Sequence, residues 1–552
     1  MKFQFLLNSI LYLIKKSEHA LYYINILLRL RKNISINKNE IRNFEQETNL
    51  INLEYQTYAN KLCIFYSWSE LSAIKYELGY VKSLQLAGFE VVVVTSPEIQ
   101  IMKVWKNLGI KKIFHNNSFK FSANYKETYK DLKKINKFED VKRLTHMKIN
   151  YGKYIKASIM RKYQEIEFDI TNKKFKNIIY KYIYNSHSII NYLETLNNKF
   201  KPSIVYMMDQ NYSPRGELFD YYIENQIPVF TNSTGYKANT FLLKKYFKYN
   251  RNSHPFGISN ENWEKFKVKN FNENNWTLLK KELEICYQSG NWYPSAATSS
   301  FSNMNNDLDL EASLGLEPEK KTAVIFSHIF WDATFFWGDD LFNDYEEWFI
   351  ETLKIASLNK NVNWIIKIHP SNIVRVSEKT LKSNKFSENI SIENKIGILP
   401  DHIKIIYPNS NISTYSLFQK IDYCVTVRGT VGIECAALGV TVLTAGTGRY
   451  DNKGFTHDSN NIEGYKEKIR NIHNLSKIKD NEILLARKFL FMSLFHKVFD
   501  LNFIKHKYEV SGNQVKEIAT INVIKDLENY EEINSIKEWL LLDNEDFLVN
   551  KF

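Results

Sequence analysis

The sequence predicts two α/β domains, each built on a largely parallel, doubly wound sheet, with helical segments at both ends of the chain. In two long stretches, short apolar runs alternate with amphipathic, helix-periodic segments. Strands of a parallel sheet appear as short continuous apolar runs, because helices cover both faces of the sheet. With 552 residues and 44% hydrophobic residues, the chain has enough apolar material for two cores.

The first stretch predicts a domain over residues 59–320. Its apolar runs are KLCIFYS, EVVVVTS, KKIFHN, PSIVYMMD and IPVFTNS. A Lys- and Tyr-rich helical insert is predicted at about 120–200, and a connector with short helices at 236–320. The strands before and after the insert belong to one sheet in this interpretation.

The second stretch predicts a domain over residues 321–475. Its apolar runs are KTAVIFSH, VNWIIKIHP, HIKIIYP, DYCVTV and VTVLTAG, again with helical segments between them. Residues 476–552 are rich in Phe and Leu and are predicted to form helices that pack back on one or both domains.

The N-terminal arm, residues 1–58, is predicted to be helical, basic and amphipathic. Its two apolar runs are interrupted by polar residues and end in Lys or Arg, so neither has the roughly 20 continuous apolar residues of a membrane span. Two interpretations remain open. The arm is either a helical hairpin packed on the first domain or a peripheral contact with the inner face of the cytoplasmic membrane.

Charge and cysteine usage exclude several classes of protein. The net charge of +13 comes from lysines spread along the whole chain, which does not indicate a nucleic-acid-binding face. The four cysteines have no CxxC or His-paired spacing, so the sequence predicts neither a disulfide framework nor a zinc site. A reducing, cytoplasmic location fits this pattern best.

Polar residues directly after the predicted strands mark the candidate site. In doubly wound sheets, ligands bind beyond the carboxyl ends of the strands. In VRGTVGIE, Gly429, Thr430 and Gly432 lie between a strand and a helix, where backbone N–H groups can receive a phosphate. The segment lacks the G-x-G-x-x-G pattern of hydride-transfer cofactors, and no cofactor is predicted.

Two charged residues flank this turn, and each has two interpretations. Arg428 either binds a phosphate or forms an ion pair at the surface. Glu434 either complements the helix dipole or accepts hydrogen bonds from ribose hydroxyls. The next strand ends in a second turn with Gly446 and Arg449, which is predicted to face the same ligand.

Other strand ends and a helix start add candidates. KIHP places Lys367 and His369 at the end of a strand, where a histidine can donate to a phosphate oxygen and Pro370 stops the strand. Ser413 and Thr414 open a helix, so one of them caps it and the other is available to a nucleotide.

A general base is expected among the carboxylates at the strand ends. Asp332 follows the first strand of the second domain, and Asp209 follows a strand of the first. Either can remove a proton from an acceptor hydroxyl across a cleft. A buried, ion-paired aspartate is the alternative interpretation of Asp332.

Taken together, KIHP and DYCVTVRGTVGIECAALGVTVLTAGTGRY resemble the bacterial capsule polysaccharide biosynthesis proteins, which are glycosyltransferases of the GT-B architecture related to the Kdo transferases. The resemblance is best over about 321–460. It implies a metal-independent transferase that holds a nucleotide-activated sugar on its C-terminal domain and a glycan or glycolipid acceptor on its N-terminal domain. It implies that His369 lies near the donor phosphate and that the turn from Arg428 to Glu434 lies at the nucleotide.

The donor is expected to be a CMP-linked acidic sugar, with a UDP- or GDP-hexose as the next choice. No DxD-type carboxylate pair follows a strand of the second domain, so no metal ligand is assigned there. Two other functions remain open, namely a non-catalytic scaffold of the capsule machinery and a nucleotide-sugar epimerase of the same fold.

Overall fold

The computed structural model describes residues 38–549 except 55–60, 116–122, 238, 290–309, 374–384, 411, 512–513 and 523–525. The first described element is helix α1 (Lys38–Glu47). Most of the predicted N-terminal arm, residues 1–37, therefore lies outside the described residues. Within the described residues, no helix has the length and apolar character needed to cross a membrane.

The first α/β unit contains a six-stranded sheet in the order β3-β2-β1-β4-β5-β6. Neighbouring strands are parallel except for β6, which is antiparallel to β5 at the edge. The strands are β1 (Lys61–Tyr66), β2 (Phe89–Thr95), β3 (Lys112–His115), β4 (Ile204–Met207), β5 (Val229–Thr234) and β6 (Phe241–Tyr246).

Helices cover both faces of this first sheet, as its continuous apolar strands require. One face packs on α2 and α3, and the other packs on the helices between β3 and β5. These helices are α2 (Leu71–Leu86), α3 (Ile99–Asn107), α4 (Tyr125–Lys133), α5 (Gly152–Tyr163), α6 (Lys173–Phe200) and α7 (Arg215–Glu224). A 3₁₀ helix, Phe138–Arg143, joins α4 to α5.

A helical connector leads to the second unit. It contains α8 (Asn260–Lys267), α9 (Glu273–Ser289) and α10 (Leu310–Leu314). Leu279 and Leu283 of α9 are buried in the same apolar cluster as the second sheet, so α9 packs on the second unit.

The second α/β unit contains a five-stranded parallel sheet in the order β11-β10-β7-β8-β9. Numbered within the unit and read from the other edge, this is 3-2-1-4-5, which is also the order of the first five strands of the first unit. The strands are β7 (Thr322–Phe326), β8 (Asn363–Lys367), β9 (Ile403–Ile406), β10 (Tyr423–Thr426) and β11 (Thr441–Thr444). Its helices are α11 (Tyr345–Leu358), α12 (Ser387–Lys395), α13 (Thr414–Phe418), α14 (Thr430–Ala437) and α15 (Ile462–Arg470).

The C-terminal segment contacts both units. Helix α16 (Asp480–Phe491) packs on the second unit, and helix α17 (Glu531–Leu540) packs on the first. Between them, β12 (Ile504–Ser511) and β13 (Gln514–Ile521) form an antiparallel hairpin.

The hairpin corrects the prediction of a purely helical C-terminal segment. Its two runs, IKHKYEVS and QVKEIATI, contain several β-branched and aromatic residues, which favour strands over helices. The hairpin lies against α2, where Lys75 Nζ donates to Ala519 O at 2.6 Å.

Candidate functional site at the carboxyl edges of the two sheets

The carboxyl edges of the two sheets lie against each other. Tyr212, which follows β4, donates its hydroxyl hydrogen to Asp332 Oδ1 at 2.5 Å, and Asp332 follows β7. Arg449, which follows β11, donates to the hydroxyl of Tyr236 beyond β5, with Nη2 at 3.0 Å. The predicted arrangement of two doubly wound units with facing edges is therefore confirmed.

At the first edge, the strand order reverses between β1 and β4, the position at which such sheets bind ligands. The guanidinium carbon of Arg215 lies 3.5 Å from the centroid of the Trp68 ring there. Asp209 is half-buried, and its Oδ1 accepts from Asn211 N at 2.9 Å. Burial raises the pKa of Asp209, and the charge of Arg215 partly opposes that shift.

At the second edge, the order reverses between β7 and β10, and His328 bridges this position. Its Nε2 accepts from Val427 N at 3.2 Å, so the ring hydrogen is assigned to Nδ1. The ring stacks on Tyr345 with centroids 4.5 Å apart. Burial, assisted by the nearby His369, lowers the pKa of His328 to about 3 and keeps this imidazole neutral. Sequence reasoning did not select His328, although SH directly follows the strand AVIF.

His369 begins the turn after β8, and a hydrogen-bonded chain positions its backbone. His369 N donates to Ser327 Oγ at 3.0 Å, and Ser327 Oγ donates to Glu388 Oε1 at 2.7 Å. The ring Nδ1 accepts from Ser371 N at 3.2 Å, which places the hydrogen of the neutral ring on Nε2. Burial raises the pKa of Glu388 to about 7. Glu388 lies on α12, far from KIHP in the sequence, so no local pattern indicated it.

Lys367 is a buried cation at the end of β8. Its relative exposure is 2%, and among the described residues its Nζ has no hydrogen-bond partner. Burial lowers the pKa of Lys367 to about 8. Burial removes water from this ammonium group, and the described residues supply no hydrogen bond in its place. A bound anion would provide the missing electrostatic interaction and hydrogen bond.

Ser413 and Thr414 are both buried at the start of α13. Ser413 Oγ accepts from Ser416 N at 3.0 Å, so Ser413 is the residue that caps the helix.

Arg428 turns toward its own unit. It is buried and forms an ion pair with Asp340 in the loop before α11. A Cβ at Gly446 would lie 2.7 Å from Arg428 Nη2, so glycine is needed at 446 to make room for this side chain. Of its two predicted roles, the structure shows the ion pair, in a buried rather than an exposed form.

The turn before α14 is held in place by residues of the turn after β11. Gly429 precedes the helix with φ −63° and ψ 152°, and Thr430 Oγ1 accepts from Arg449 Nη2 at 3.1 Å. A Cβ at Gly432 would lie 2.2 Å from the hydroxyl oxygen of Tyr450. Gly432 is therefore required for packing against Tyr450, independently of any ligand.

Glu434 is buried inside the second unit. Its relative exposure is 2%, and its carboxylate accepts a hydrogen bond from Tyr287 of α9. Burial raises the pKa of Glu434 to about 7, and the Tyr287 hydrogen bond partly offsets that shift. A ribose hydroxyl could therefore bind Glu434 only if Tyr287 shares or releases the Glu434 carboxylate. No pattern in the sequence indicated this Tyr287 contact.

The family comparison covers this second unit. Residues 304–489 match the family model described as "Capsule polysaccharide biosynthesis protein". The match confirms the predicted resemblance and covers β7 to β11 together with Lys367, His369 and the Arg428–Glu434 turn. No curated protein matches the chain significantly.

Solved structures similar to the chain have low identity and low TM-scores. The KpsC β-Kdo 2,4 transferase of Thermosulfurimonas dismutans is 12% identical with a TM-score of 0.32, covering 57% of this chain and 85% of that chain. The β-Kdo 2,7 transferase of the same KpsC is 12% identical with a TM-score of 0.31, covering 59% of this chain and 85% of that chain. A UDP-GlcNAc 2-epimerase from Neisseria meningitidis, bound to UDP-GlcNAc, is 12% identical with a TM-score of 0.25, covering 79% of this chain and 99% of that chain.

Proposed function

We propose that the protein is a glycosyltransferase of capsule or other surface polysaccharide biosynthesis. In this proposal a nucleotide-activated sugar binds at the carboxyl edge of the second sheet, and a glycan or glycolipid acceptor binds at the edge of the first. The family match of residues 304–489 supports the biosynthetic role. The single observation that carries the donor site is Lys367, a buried ammonium without a partner among the described residues.

Lys367 suits the phosphate of a donor for an energetic reason. A buried, unpaired charge destabilises a folded protein by several kcal/mol, and a bound phosphate would supply both an opposite charge and hydrogen-bond acceptors. His369 lies two residues after Lys367, and its Nε2–H can donate to the same phosphate. Negative charge grows on the leaving nucleotide as the glycosyl bond breaks, so these donors would stabilise the transition state more than the ground state.

We assign the proposed general base to Asp209. The carboxylate of Asp332 is held by the Tyr212 hydroxyl and faces Arg161, whose Nη1 lies 3.6 Å from Oδ1. The Asp332 carboxylate is thus engaged in contacts across the two units, which leaves it less accessible to an acceptor hydroxyl than Asp209. Asp209 is half-buried and has a raised pKa, which makes its carboxylate a better proton acceptor.

The donor proposed first is a CMP-linked acidic sugar, followed by a UDP- or GDP-hexose. No resident metal is required in this mechanism, because Lys367 and His369 supply the positive and hydrogen-bonding groups at the phosphate. Nucleotide-induced stabilisation should therefore persist in EDTA. A thermal-shift comparison of CMP, UDP, GDP and CDP ranks the nucleotides, since a ligand at 100 times its Kd adds about 2.7 kcal/mol to stability.

A matched pair of buried lysines tests the donor site. Lys245 of β6 is also buried with a pKa lowered to about 8, but its Nζ donates to two backbone carbonyls, Trp539 O at 3.2 Å and Leu542 O at 2.5 Å. Lys367→Met should abolish nucleotide-induced stabilisation and sugar transfer, whereas Lys245→Met should leave the nucleotide-induced shift unchanged.

Undiminished nucleotide binding by Lys367→Met would refute the assignment. Turnover of a nucleotide sugar without transfer to an acceptor would favour an epimerase, and the absence of nucleotide binding by the wild type would favour a scaffold.

We further propose that the basic N-terminal arm attaches the protein to an anionic membrane surface. The charge pattern of residues 1–33 supports this, since each Lys or Arg near such a surface contributes about 1 kcal/mol. Deleting these residues should abolish flotation with phosphatidylglycerol vesicles, and high salt should weaken it in the full chain. Insoluble protein after the deletion would instead place the arm in the folded core.

A further inference from the structure

A second cluster of polar side chains lies in the helical insert between β3 and β4. Glu127 of α4, His146 of the loop before α5 and His187 of α6 converge there. One potential ligand atom from each residue lies within 4.8 Å of the others. The two imidazole rings stack with centroids 4.2 Å apart and an interplanar angle of 20°. None of the three belongs to the edges of the two sheets described above.

A carboxylate orients the His187 ring. His187 Nε2 lies 3.0 Å from Asp131 Oδ2, so Nε2 carries the hydrogen and Nδ1 has its lone pair available. Asp131 is itself held by Tyr151, whose hydroxyl donates to Oδ2 at 2.6 Å, and by Lys134 Nζ at 2.6 Å from Oδ1. Metal-binding histidines commonly donate their second nitrogen to a carboxylate in this way, which sets the tautomer and increases the basicity of the ligating nitrogen.

An amide oxygen orients the His146 ring in the same manner. His146 Nε2 lies 2.8 Å from Asn191 Oδ1, which as an acceptor assigns the hydrogen to Nε2 and the lone pair to Nδ1. Near the cluster, Thr128 Oγ1 lies 3.5 Å from His187 Nδ1. Thr128 Oγ1 also donates to Asn124 O at 3.0 Å, so its long contact with His187 Nδ1 is a weak competitor for the lone pair.

We propose that Glu127, His146 and His187 bind one divalent transition-metal ion, with Zn²⁺ as the best match and water in the remaining position. Two imidazole nitrogens and one carboxylate oxygen are a ligand set that Zn²⁺ uses in tetrahedral sites. With metal–ligand bonds of about 2.0–2.1 Å, tetrahedral ligand atoms lie about 3.3 Å apart. Glu127 is exposed, so a change of its side-chain rotamer can bring its carboxylate closer to the two imidazole nitrogens.

The site would join three segments that are distant in the sequence. Its ligands are separated by 19 and 41 residues, a spacing that matches no zinc motif, which is why the sequence predicted no zinc site. Tyr151, which holds Asp131, immediately precedes α5, and Arg161 near the end of α5 reaches Asp332. The metal would therefore stabilise the insert that carries Arg161 to the contact between the two units.

The test uses the full chain, stripped with EDTA and then titrated with Zn²⁺ alone. We expect one zinc per chain by elemental analysis, a rise in Tm, and, for Co²⁺ as the probe, the intense visible absorption of a four-coordinate site. Glu127→Gln and His146→Gln change exposed or half-buried residues, and each should weaken Zn²⁺ affinity at least tenfold. Glu194→Gln, an exposed glutamate of α6 outside the cluster, is the matched control and should bind like wild type.

Three results would overturn the proposal. They are substoichiometric zinc in the wild type, equal affinity of Glu127→Gln and Glu194→Gln, or a Co²⁺ spectrum that stays like that of the aqueous ion. The first and third need no variant, so they decide the matter even if His146→Gln fails to fold. Nucleotide-induced stabilisation should survive zinc removal, which separates this site from the proposed donor site.

Discussion

Tyr212 and Asp332 join the two α/β units through a hydrogen bond of 2.5 Å. The same hydroxyl oxygen accepts from Ala333 N at 3.0 Å, and the guanidinium of Arg161 lies 4.5 Å over the Tyr212 ring. Tyr212 therefore contacts the backbone and a carboxylate of the facing unit through its hydroxyl, while the face of its ring contacts the Arg161 guanidinium. This arrangement fixes the distance between the two edges at which donor and acceptor are proposed to meet.

We predict that Tyr212→Phe lowers the free energy of unfolding by about 1.5–3 kcal/mol, the usual contribution of a hydrogen bond to a charged group. The measurement is urea denaturation of the single variant, of Asp332→Asn and of the double variant. The two effects should be non-additive, because each substitution removes the same contact. Fully additive effects would show that the contact contributes nothing in solution.

We predict that Lys367→Met makes the free protein more stable at pH 7. Methionine has a similar shape, and it replaces a buried ammonium group that has no hydrogen-bond partner among the described residues. The pKa of Lys367 is about 8 in the fold and 10.5 as the ordinary value, so the penalty is complete below pH 8. It is relieved as the pH rises from 8 to 10.5, and the advantage of the variant should fade over that interval.

Lys245→Met is the contrast for this stability measurement. It should destabilise the protein at pH 7, since it leaves two backbone carbonyls without their donor. Urea denaturation at pH 7 and at pH 10 distinguishes the two lysines. A Lys367→Met protein less stable than wild type at both values would contradict the picture of an unpaired ammonium.

Glu434→Gln should become more stable than wild type as the pH rises from about 4.5 to 7. Burial raises the pKa of Glu434 to about 7, so in this interval the unfolded chain loses a proton that the fold retains, and the wild type loses stability. A glutamine can still accept from Tyr287, and the two proteins should be equally stable near pH 4.5.

The same variant tests the proposed ribose contact of Glu434. Weakening of nucleotide affinity by about tenfold, together with lost discrimination against a nucleotide without ribose hydroxyls, would support that contact. Unchanged affinity would leave Glu434 as a buried acid bound to Tyr287.

We predict that Gly338→Ala is far more destabilising than Gly315→Ala. Both glycines have positive φ, +63° and +62°, so both substitutions share the same backbone strain of about 1 kcal/mol. A Cβ at Gly338 would lie 2.0 Å from Thr447 O, whereas at Gly315 nothing lies within 4 Å. Thermal denaturation of the two variants measures the difference in Tm. Equal decreases in Tm would contradict the close approach of the loop at Gly338 to the loop at Thr447.

We predict that Asp546→Ala costs about 3–5 kcal/mol, the range for removing one partner of a buried ion pair. Asp546 Oδ1 lies 2.9 Å from Lys244 Nζ and 2.5 Å from Lys497 Nζ, and all three side chains are buried. Glu545→Ala is the control, because Glu545 lies 3.5 Å from Lys244 and is more exposed. A similar small loss for both variants in urea denaturation would show that Asp546 does not anchor the C-terminal segment.

The sequence by itself determined the α/β character of both units and the location of the candidate edges. Strands such as EVVVVT and WIIK are apolar runs bounded by polar residues, so their burial in a parallel sheet follows from local composition. His369 and Arg428 follow strands in the sequence and therefore had to lie at a carboxyl edge once the sheet was parallel.

Only the tertiary structure decided which partner each of these side chains has. Arg428 pairs with Asp340, Glu434 with Tyr287, and the imidazole rings of His146 and His187 stack although they come from separate elements. These pairs are 88, 147 and 41 residues apart, and no periodicity of the chain encodes contacts at such separations. Burial has the same origin. Lys367 and Glu434 have unusual pKa values because distant helices and strands exclude water from them, and a charged group cannot be recognised as desolvated until those elements have packed.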